Sequence, residues 1–165
     1  MIELYHYVSK EKYERINQED FLRPSAPFNS KIPNKKWEEY TQRFQFPITQ
    51  YYICTFLEQA PQPWKEYGLF ELLMKEFSGG DLILKLKVED NNKFPILVRD
   101  HMHHSPKEYG LLPEVWKRRE MRDSRPDLRE KWYNSTVQLK DYNENYVCPE
   151  ILIPFAVRFE NISIM

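Results

Sequence analysis

Two ionisable side chains stand in segments that otherwise look like apolar strands. His6 lies between Leu4 and Val8 in an alternating segment, and Glu150 comes directly before the apolar run 151–153. A neutral imidazole beside a cleft can bind a hydroxyl group, and a fixed carboxylate can stabilise positive charge that develops during a reaction. Each residue also has a simpler interpretation. A histidine in a strand often hydrogen-bonds to backbone, and most carboxylates at strand starts are solvated.

Two aromatic side chains, Trp64 and Tyr67, lie in the segment 55–68, where a predicted strand leads into a predicted helix. Rings at such a junction either cover the core or form a platform on which a flat heterocycle stacks. The residues alone leave both interpretations open.

Three histidines, His101, His103 and His104, follow Asp100 and form a cluster of metal-ligand type. Neighbouring residues of a strand point to opposite faces, and no second ligand group in the sequence has the spacing of a zinc site. A solvated loop is therefore the favoured interpretation, and we expect no metal.

The two cysteines, Cys54 and Cys148, are too few for a disulfide scaffold and favour a reducing compartment, so we expect a cytoplasmic protein. Neither has the local signature of a nucleophilic cysteine, which argues against thiol catalysis. The N-terminal segment lacks the apolar core of a signal peptide, and no apolar run reaches the roughly 18 residues of a membrane span. We therefore expect no contact with a membrane.

The length of 165 residues predicts one domain that spans residues 1–165. The formal charge is -1, from 24 basic and 25 acidic side chains, so the chain as a whole has no strong attraction for nucleic acid. A basic run between residues 117 and 131 is interleaved with acidic residues, which is typical of a solvated helix face. Contact of this run with a partner or with RNA stays open.

Glycine is scarce, since the chain has 4 glycines against 12 prolines. No glycine belongs to a G-x-G-x-x-G motif or to a P-loop motif. Both motifs need glycine where the backbone approaches phosphate, so a dinucleotide-binding Rossmann unit and a P-loop are excluded. Aromatic residues make up 15% of the chain, which leaves open nucleotide binding through ring stacking.

Hydrophobic patterning predicts an α+β domain in which strands and helices are segregated. Ser9 has the position of an N-cap for the first helix, and Ser105 begins a capping box. Two short helices are expected between residues 113 and 131, broken by Pro126. Strands are predicted at 2–8, 50–57, 81–88, 94–98, 137–139 and within 151–164, a brief extended piece at 21–22, and helices at 10–17, 36–44 and 66–77.

The order of three parts resembles the ADP-ribosyltransferase superfamily, in particular its His-Tyr-Glu clade of poly-ADP-ribose polymerases and small bacterial toxins. These parts are the strand Leu4-Tyr5-His6-Tyr7-Val8, the strand that leads into Trp64 and Tyr67, and the late strand that opens Pro149-Glu150-Ile151. The resemblance spans most of the chain and implies a split β-sheet with peripheral helices and an NAD cleft between its halves.

Within this resemblance, His6 matches the histidine that binds the ribose on the adenosine side, and Tyr7 lies beside the nicotinamide amide. Glu150 matches the catalytic glutamate at the nicotinamide ribose. Tyr67, with Trp64 as its competitor, is the ring that would stack on nicotinamide. The family's middle tyrosine aligns with Thr55, while Tyr51 and Tyr52 lie earlier in the same strand.

The loop that selects the acceptor in this family corresponds to residues 140–148, with Asp141, Tyr142 and Tyr146 as its candidate contacts. The resemblance implies NAD as substrate, no metal, an acceptor that is protein or nucleic acid, and a toxin-like protein that an inhibitory partner could hold inactive. NAD hydrolysis, in which water is the acceptor, stays open. So do an RNA 2′-phosphotransferase, a non-catalytic partner-binding module on the same scaffold, and a purely structural α+β domain.

Overall fold

Strands and helices alternate irregularly along the chain in the computed structural model. It describes residues 1–28, 39, 41–66, 70, 81–90, 93–100, 126–146 and 148–165. Each strand pairing within these ranges is antiparallel, and the helices lie outside the sheet path, which confirms the α+β class. No helix in the described ranges is long and apolar enough to cross a membrane.

The elements follow the hydrophobic patterning closely in the N-terminal half and in the late strands. The helices whose bounds lie in the described ranges are α1 (Lys10–Glu19), α2 (Gln62–Glu66) and α3 (Pro126–Asn134), with 3-10 turns at Leu139–Asp141 and Phe159–Asn161. The strands are β1 (Ile2–Val8), β2 (Phe21–Leu22), β3 (Ala26–Pro27), β4 (Tyr51–Phe56), β5 (Leu82–Val88), β6 (Leu97–Asp100), β7 (Val137–Gln138), β8 (Pro149–Ile153), β9 (Val157–Arg158) and β10 (Ile162–Ile164).

Within the described ranges, an eight-stranded sheet forms the centre of the fold. Its strand order is β10-β5-β1-β4-β8-β6-β7, with β3 paired to β4 outside this path, and β2 pairs with β9 in a separate ribbon. Strand β1 pairs with β5 over its whole length, from Ile2 opposite Val88 to Val8 opposite Leu82. Against β4 it has one registered pair, Tyr5 opposite Phe56. The two halves of the sheet therefore meet at a narrow β1–β4 junction.

The two faces of the sheet bury different side chains. The aliphatic face is the cluster formed mainly by Leu4, Val8, Ile53, Leu84, Leu86, Val98, Ile151 and Ile153, with Ile16 of α1 packed on it. The aromatic face is the cluster Phe28, Tyr52, Leu97, Trp132, Tyr133 and Leu152, which brings α3 against the sheet. Because strand side chains alternate, every residue of β1, β4 and β8 is assigned to one of these faces.

Helix α1 begins where its capping residue predicts. Ser9 has extended backbone angles, and its Oγ accepts a hydrogen bond from the backbone N–H of Lys12 at 3.1 Å. Asp20 ends the helix with a φ of 65°. The chain then enters β2 of the separate β2–β9 ribbon.

One predicted strand is displaced along the chain. The segment predicted at 94–98 forms a strand only from Leu97, because Pro95 has no N–H to donate and the N–H of Ile96 is bound by the Asp90 carboxylate at 2.9 Å. The predicted strands within 151–164 are three short ones instead of one or two.

Several other predicted elements extend beyond the described ranges. Residues 36–38 and 40 of the predicted helix 36–44, the predicted helix 66–77 apart from residues 66 and 70, and the Ser105 capping box lie there. Residues 39 and 41 are helical, and residues 42–43 form a turn. Of the two short helices expected between residues 113 and 131, the described one begins at Pro126 and continues to Asn134. Proline at the first turn of a helix needs no N–H partner, so Pro126 starts this helix where the pattern had suggested a break.

Candidate functional site

His6 is held in the β1–β4 junction by a backbone hydrogen bond. Its Nδ1 donates to the carbonyl oxygen of Cys54 at 2.7 Å, and its Nε2 is buried with no hydrogen-bond partner among the described residues. Burial, and after it the positive charge of Lys12, together lower the pKa of the imidazole to about 4. The ring is therefore neutral near pH 7. It links β1 to β4, two strands that share one registered residue pair.

Glu150 is buried in an ion pair and is not solvated. Its Oε2 lies 2.8 Å from Nε of Arg99 on the neighbouring strand β6. The two residues are 6% and 2% exposed, respectively. The Arg99 guanidinium also lies 3.6 Å from the ring centroid of Trp132 and donates from Nη1 to the carbonyl of Phe28 at 3.3 Å. This geometry keeps the carboxylate at one place within the aromatic face.

His6 and Glu150 project from opposite faces of the sheet, so the expectation that they line one cleft is corrected. The registered pairs place Tyr5, Phe56 and Glu150 in one row across β1, β4 and β8. His6 is one residue further along β1, on the face of Leu4 and Val8, and a shift of one residue reverses the side of a strand to which a side chain points.

Thr55 also lies away from Glu150. Its side chain is fully buried, and Oγ1 donates to the carbonyl of Ile151 at 3.0 Å. Thr55 alternates with Cys54 and Phe56, which places it on the aliphatic face, on the same side as His6. In its described contacts, the Thr55 side chain therefore links β4 to β8.

Of the two predicted binding residues in β1, Tyr7 is the one that lies on the same face of the sheet as Glu150. Its ring stacks on Phe56 with 5.8 Å between centroids and meets Phe70 edge-on at 5.9 Å. Its hydroxyl donates to the carbonyl of Gln59 at 3.1 Å. Burial raises the pKa of the phenol, and the charge of Glu58 adds to this shift, so Tyr7 remains protonated.

A small cavity of about 160 Å³ opens beside this aromatic group. The cavity lies where β4 ends at Phe56 and the chain turns into α2 at Gln62. The segment that leads into β8 closes its other side. A cavity of similar size in another protein holds a single benzene ring, which sets the scale of a ligand that fits here. Its described lining is Phe56, Leu57 and Glu58 after β4, Pro61 and Gln62 at α2, and Tyr146, Cys148 and Pro149 before β8.

Glu150 lies directly behind this lining. It follows Pro149 in β8 and is the register partner of Phe56, and both of these residues line the cavity. Burial raises the pKa of the Cys148 thiol, and the Glu150 charge is the next largest cause. The carboxylate is therefore close enough to influence a group bound in the cavity.

The predicted acceptor loop reaches the cavity through Tyr146. The rings of Tyr142 and Tyr146 are 5.1 Å apart, and the Tyr146 hydroxyl donates to the carbonyl of Ser135 in a short hydrogen bond. Asp141 ends a 3-10 turn in an exposed position, where its carboxylate accepts from the Gln138 side-chain amide at 3.4 Å. Tyr146 is thus the predicted loop residue that lines the cavity.

The remaining predictions fall partly or wholly outside the described residues. Trp64 lies in α2, two residues after the lining residue Gln62, but its side chain is not described, and Tyr67 lies outside the described ranges. His101, His103 and His104 lie outside them too. Asp100 is described: its carboxylate accepts from the Cys148 N–H at 3.2 Å, which ties the ends of β6 and β8 together.

Both cysteines are free, and burial raises the pKa of each thiol. A thiol that stays protonated is a poor nucleophile, which agrees with the sequence argument against thiol catalysis. In the described ranges, no group of three or more His, Cys, Asp or Glu side chains is placed to hold a metal ion.

Several residues of this site were not identified from the sequence. Arg99 is the clearest case, because a cation directly after the apolar run Ile96-Leu97-Val98 is unusual in a buried strand and signals a buried anion nearby. Phe56, Glu58, Gln62 and Cys148 carry no comparable signal, since their meeting depends on which strands become neighbours.

The described arrangement can hold one flat ring against aromatic and apolar walls, with a buried carboxylate immediately behind them. Polar groups at the rim, on Glu58 and Gln62, can orient a substituent of that ring. Comparisons of the chain with protein-family models, with curated proteins and with solved structures find no match.

Proposed function

We propose that this protein cleaves the bond between nicotinamide and ribose in NAD and transfers ADP-ribose to a protein or nucleic-acid acceptor or to water. The observation that carries the proposal is the ring-sized cavity at which the end of β4, the start of α2 and the start of β8 converge beside Tyr7. Tyr7 belongs to the first of the three sequence parts that resemble an ADP-ribosyltransferase, β4 and α2 belong to the second, and β8 belongs to the third. The narrow β1–β4 junction is consistent with the split sheet of that fold.

In this proposal the nicotinamide ring occupies the cavity. Phe56 and Tyr146 supply aromatic wall, and the Gln62 amide is placed at the rim to hydrogen-bond the carboxamide. Trp64 and Tyr67 remain the predicted stacking partners, because α2 begins at the cavity. The cavity volume suits the ring, while ribose and phosphates would extend outside it.

The reaction breaks the glycosidic bond, and the electron pair leaves with nicotinamide and neutralises the positive charge of the ring. The ribose becomes oxocarbenium-like, and the acceptor then bonds to its anomeric carbon and loses a proton. Glu150, held in position by Arg99, supplies negative charge behind this centre. Fixed charge in a water-poor site stabilises such a transition state by several kcal/mol.

His6 has a different part in this proposal from the one that the resemblance implies. Its ring projects from the aliphatic face, so it does not bind ribose at this cavity. Its hydrogen bond to Cys54 instead holds β1 against β4, which positions Tyr7 and Phe56 on the other side. In this proposal Tyr7, which stacks on the lining residue Phe56, replaces His6 as the β1 residue that supports the cavity.

The direct test measures nicotinamide release from NAD by the purified full chain. Glu150→Gln should lower the rate by about 10²-fold to 10³-fold, the usual cost of losing one stabilising group in a transition state. Since this change also alters a buried ion pair, the unfolding midpoint of the variant is measured in parallel. Gln62→Trp, at an exposed rim position, should block the cavity without touching that pair. Glu160→Gln, on an exposed turn remote from the cavity, is the control.

A folded wild-type protein that neither binds NAD in calorimetry nor releases nicotinamide contradicts the proposal. The second candidate is then a partner-binding module on the same scaffold. The pairing of Glu150 with Arg99 inside the aromatic face favours the non-catalytic character of that module, because it is also the arrangement of a purely structural ion pair.

A further inference from the structure

Among the described residues, the charge at the cavity is carried by Glu58. Of the described residues that line it, Glu58 is the one with an ionised side chain, and it stands in the exposed turn between β4 and α2. The other described lining residues are apolar, aromatic or neutral polar. A bound ring would therefore meet the anionic group of Glu58 in the part of the rim that the structure describes.

Two further carboxylates lie close behind the wall. Asp100 accepts a hydrogen bond from the backbone N–H of Cys148, and Glu150 follows Pro149. The raised pKa of the Cys148 thiol is caused first by burial and then by the charges of Glu150, Asp100 and Glu58. Arg99 partly offsets Glu150, with which it is paired at 2.8 Å, and Glu58 at the rim adds the negative charge of the described lining.

We propose that this cavity selects cationic over anionic planar heterocycles, and that Glu58 is the residue that sets this preference. A positively charged ring gains Coulomb attraction at the rim, whereas a ring that carries a carboxylate is repelled there. The inference deepens the proposed NAD cleavage, and rests on it only for the identity of the ring, which would be the pyridinium of oxidised NAD.

The preference for a cationic ring favours binding of the substrate ring over binding of the product ring. The pyridinium of NAD is positively charged, and nicotinamide is neutral after the bond breaks. The cavity therefore holds the substrate ring more tightly than the released one, which favours product exit. Glu58 acts by charge at the rim and takes no part in bond breaking.

The test uses three ring fragments that differ in charge. Binding of 1-methylnicotinamide, nicotinamide and nicotinate to the full chain is titrated by calorimetry or by ligand-observed NMR. Wild type should bind the cation most tightly and the anion least. Glu58→Gln should reduce the cation-to-anion affinity ratio by about threefold to fivefold, as expected for one charge near the surface. Raising the salt concentration should reduce the wild-type ratio in the same direction.

Glu160→Gln, which removes an exposed carboxylate from a turn remote from the cavity, should leave the ratio unchanged. The inference is overturned if none of the fragments binds at millimolar concentration, if nicotinate binds as tightly as 1-methylnicotinamide, or if Glu58→Gln keeps the wild-type ratio. Charge-selective binding without nicotinamide release from NAD would reject the proposed function and keep this inference. NAD cleavage without charge-selective fragment binding would keep the proposed function and reject this inference.

Discussion

The half-buried imidazole of His6, whose Nδ1 donates to a carbonyl, is held in its neutral form by the folded protein. The pKa of His6 is about 4 in the folded protein, against about 6.5 for an unperturbed histidine. Between these two values the unfolded chain binds a proton that the folded chain does not, so the free energy of unfolding falls as the pH falls from 6.5 towards 4. Above pH 6.5 this contribution to stability is fully present.

The pH dependence gives a prediction for His6→Gln, in which the amide can still donate to the Cys54 carbonyl but does not titrate. Between pH 7 and pH 4.5, wild type should lose about 2–3 kcal/mol more unfolding free energy than the variant. Urea titrations at the two pH values measure this difference. The other acidic groups and histidines contribute equally to both proteins and cancel. Parallel losses in the two proteins would show that His6 is not buried in neutral form.

The Arg99–Glu150 pair gives a second prediction at the scale of single residues. Arg99→Met leaves the Glu150 carboxylate buried without its cation and should cost about 3–5 kcal/mol of unfolding free energy. The double variant Arg99→Met with Glu150→Leu removes both charges and should recover most of this loss. Thermal or denaturant unfolding of the two variants gives the comparison. A single variant as stable as the double one would mean that the pair is open to water.

At the scale of elements, local signals determine where helix α1 begins. Ser9→Ala removes the acceptor for the Lys12 N–H and should lower the unfolding free energy by about 1 kcal/mol. Ser163→Ala, in the outermost strand β10, lacks such a capping contact and serves as the matched control. Chemical denaturation measures both. Equal effects of the two changes would remove the capping role of Ser9.

Elements determined by neighbouring residues were predictable from the sequence. The alternation in residues 2–8 and the Ser9 cap gave β1 and α1 nearly at their observed bounds. The start of β6 was misplaced because the hydrogen bond between Asp90 and Ile96 depends on a turn that patterning does not reveal. The composition of the sheet's two faces followed from alternation once the strand pairs were known.

The candidate site was predictable only in part, for a physical reason. Glu150 was predicted from residue type and position, and Tyr7 through the resemblance. Glu150 is the register partner of the lining residue Phe56, and Tyr7 stacks on Phe56. His6 was placed with them, although the registered pair Tyr5–Phe56 puts it on the other face. Register between strands that are far apart in sequence depends on packing of the whole sheet, and a shift of one residue reverses the facing of a side chain.

At the scale of the whole molecule, the cavity joins α2, β4 and the segment before β8, so a ligand bound there should stabilise the folded state. With NAD at about 100 times its dissociation constant, the unfolding free energy should rise by about 2.7 kcal/mol. For a chain of this length that corresponds to an increase in Tm of about 5–10 °C. Differential scanning fluorimetry measures the shift.

Gln62→Trp should show little of this stabilisation, because the new ring occupies the rim of the cavity. Glu160→Gln should shift as wild type does. An equal Tm shift in Gln62→Trp and wild type would place the NAD site elsewhere on the protein.

The narrow β1–β4 junction has a consequence for cooperativity. In the strand ladder, one registered pair and the His6–Cys54 bond join a β10-β5-β1 half to a β4-β8-β6-β7 half, while the aliphatic face packs side chains of both halves together. Each half has continuous ladders of its own, so the two are expected to open as separate foldons at a lower free energy than global unfolding. Native-state hydrogen exchange should then give one opening free energy to amides of the β1–β5 ladder and another to those of the β4–β8 ladder. The cavity ligand, which touches the second half beside Tyr7 of the first, would bring the two values closer together.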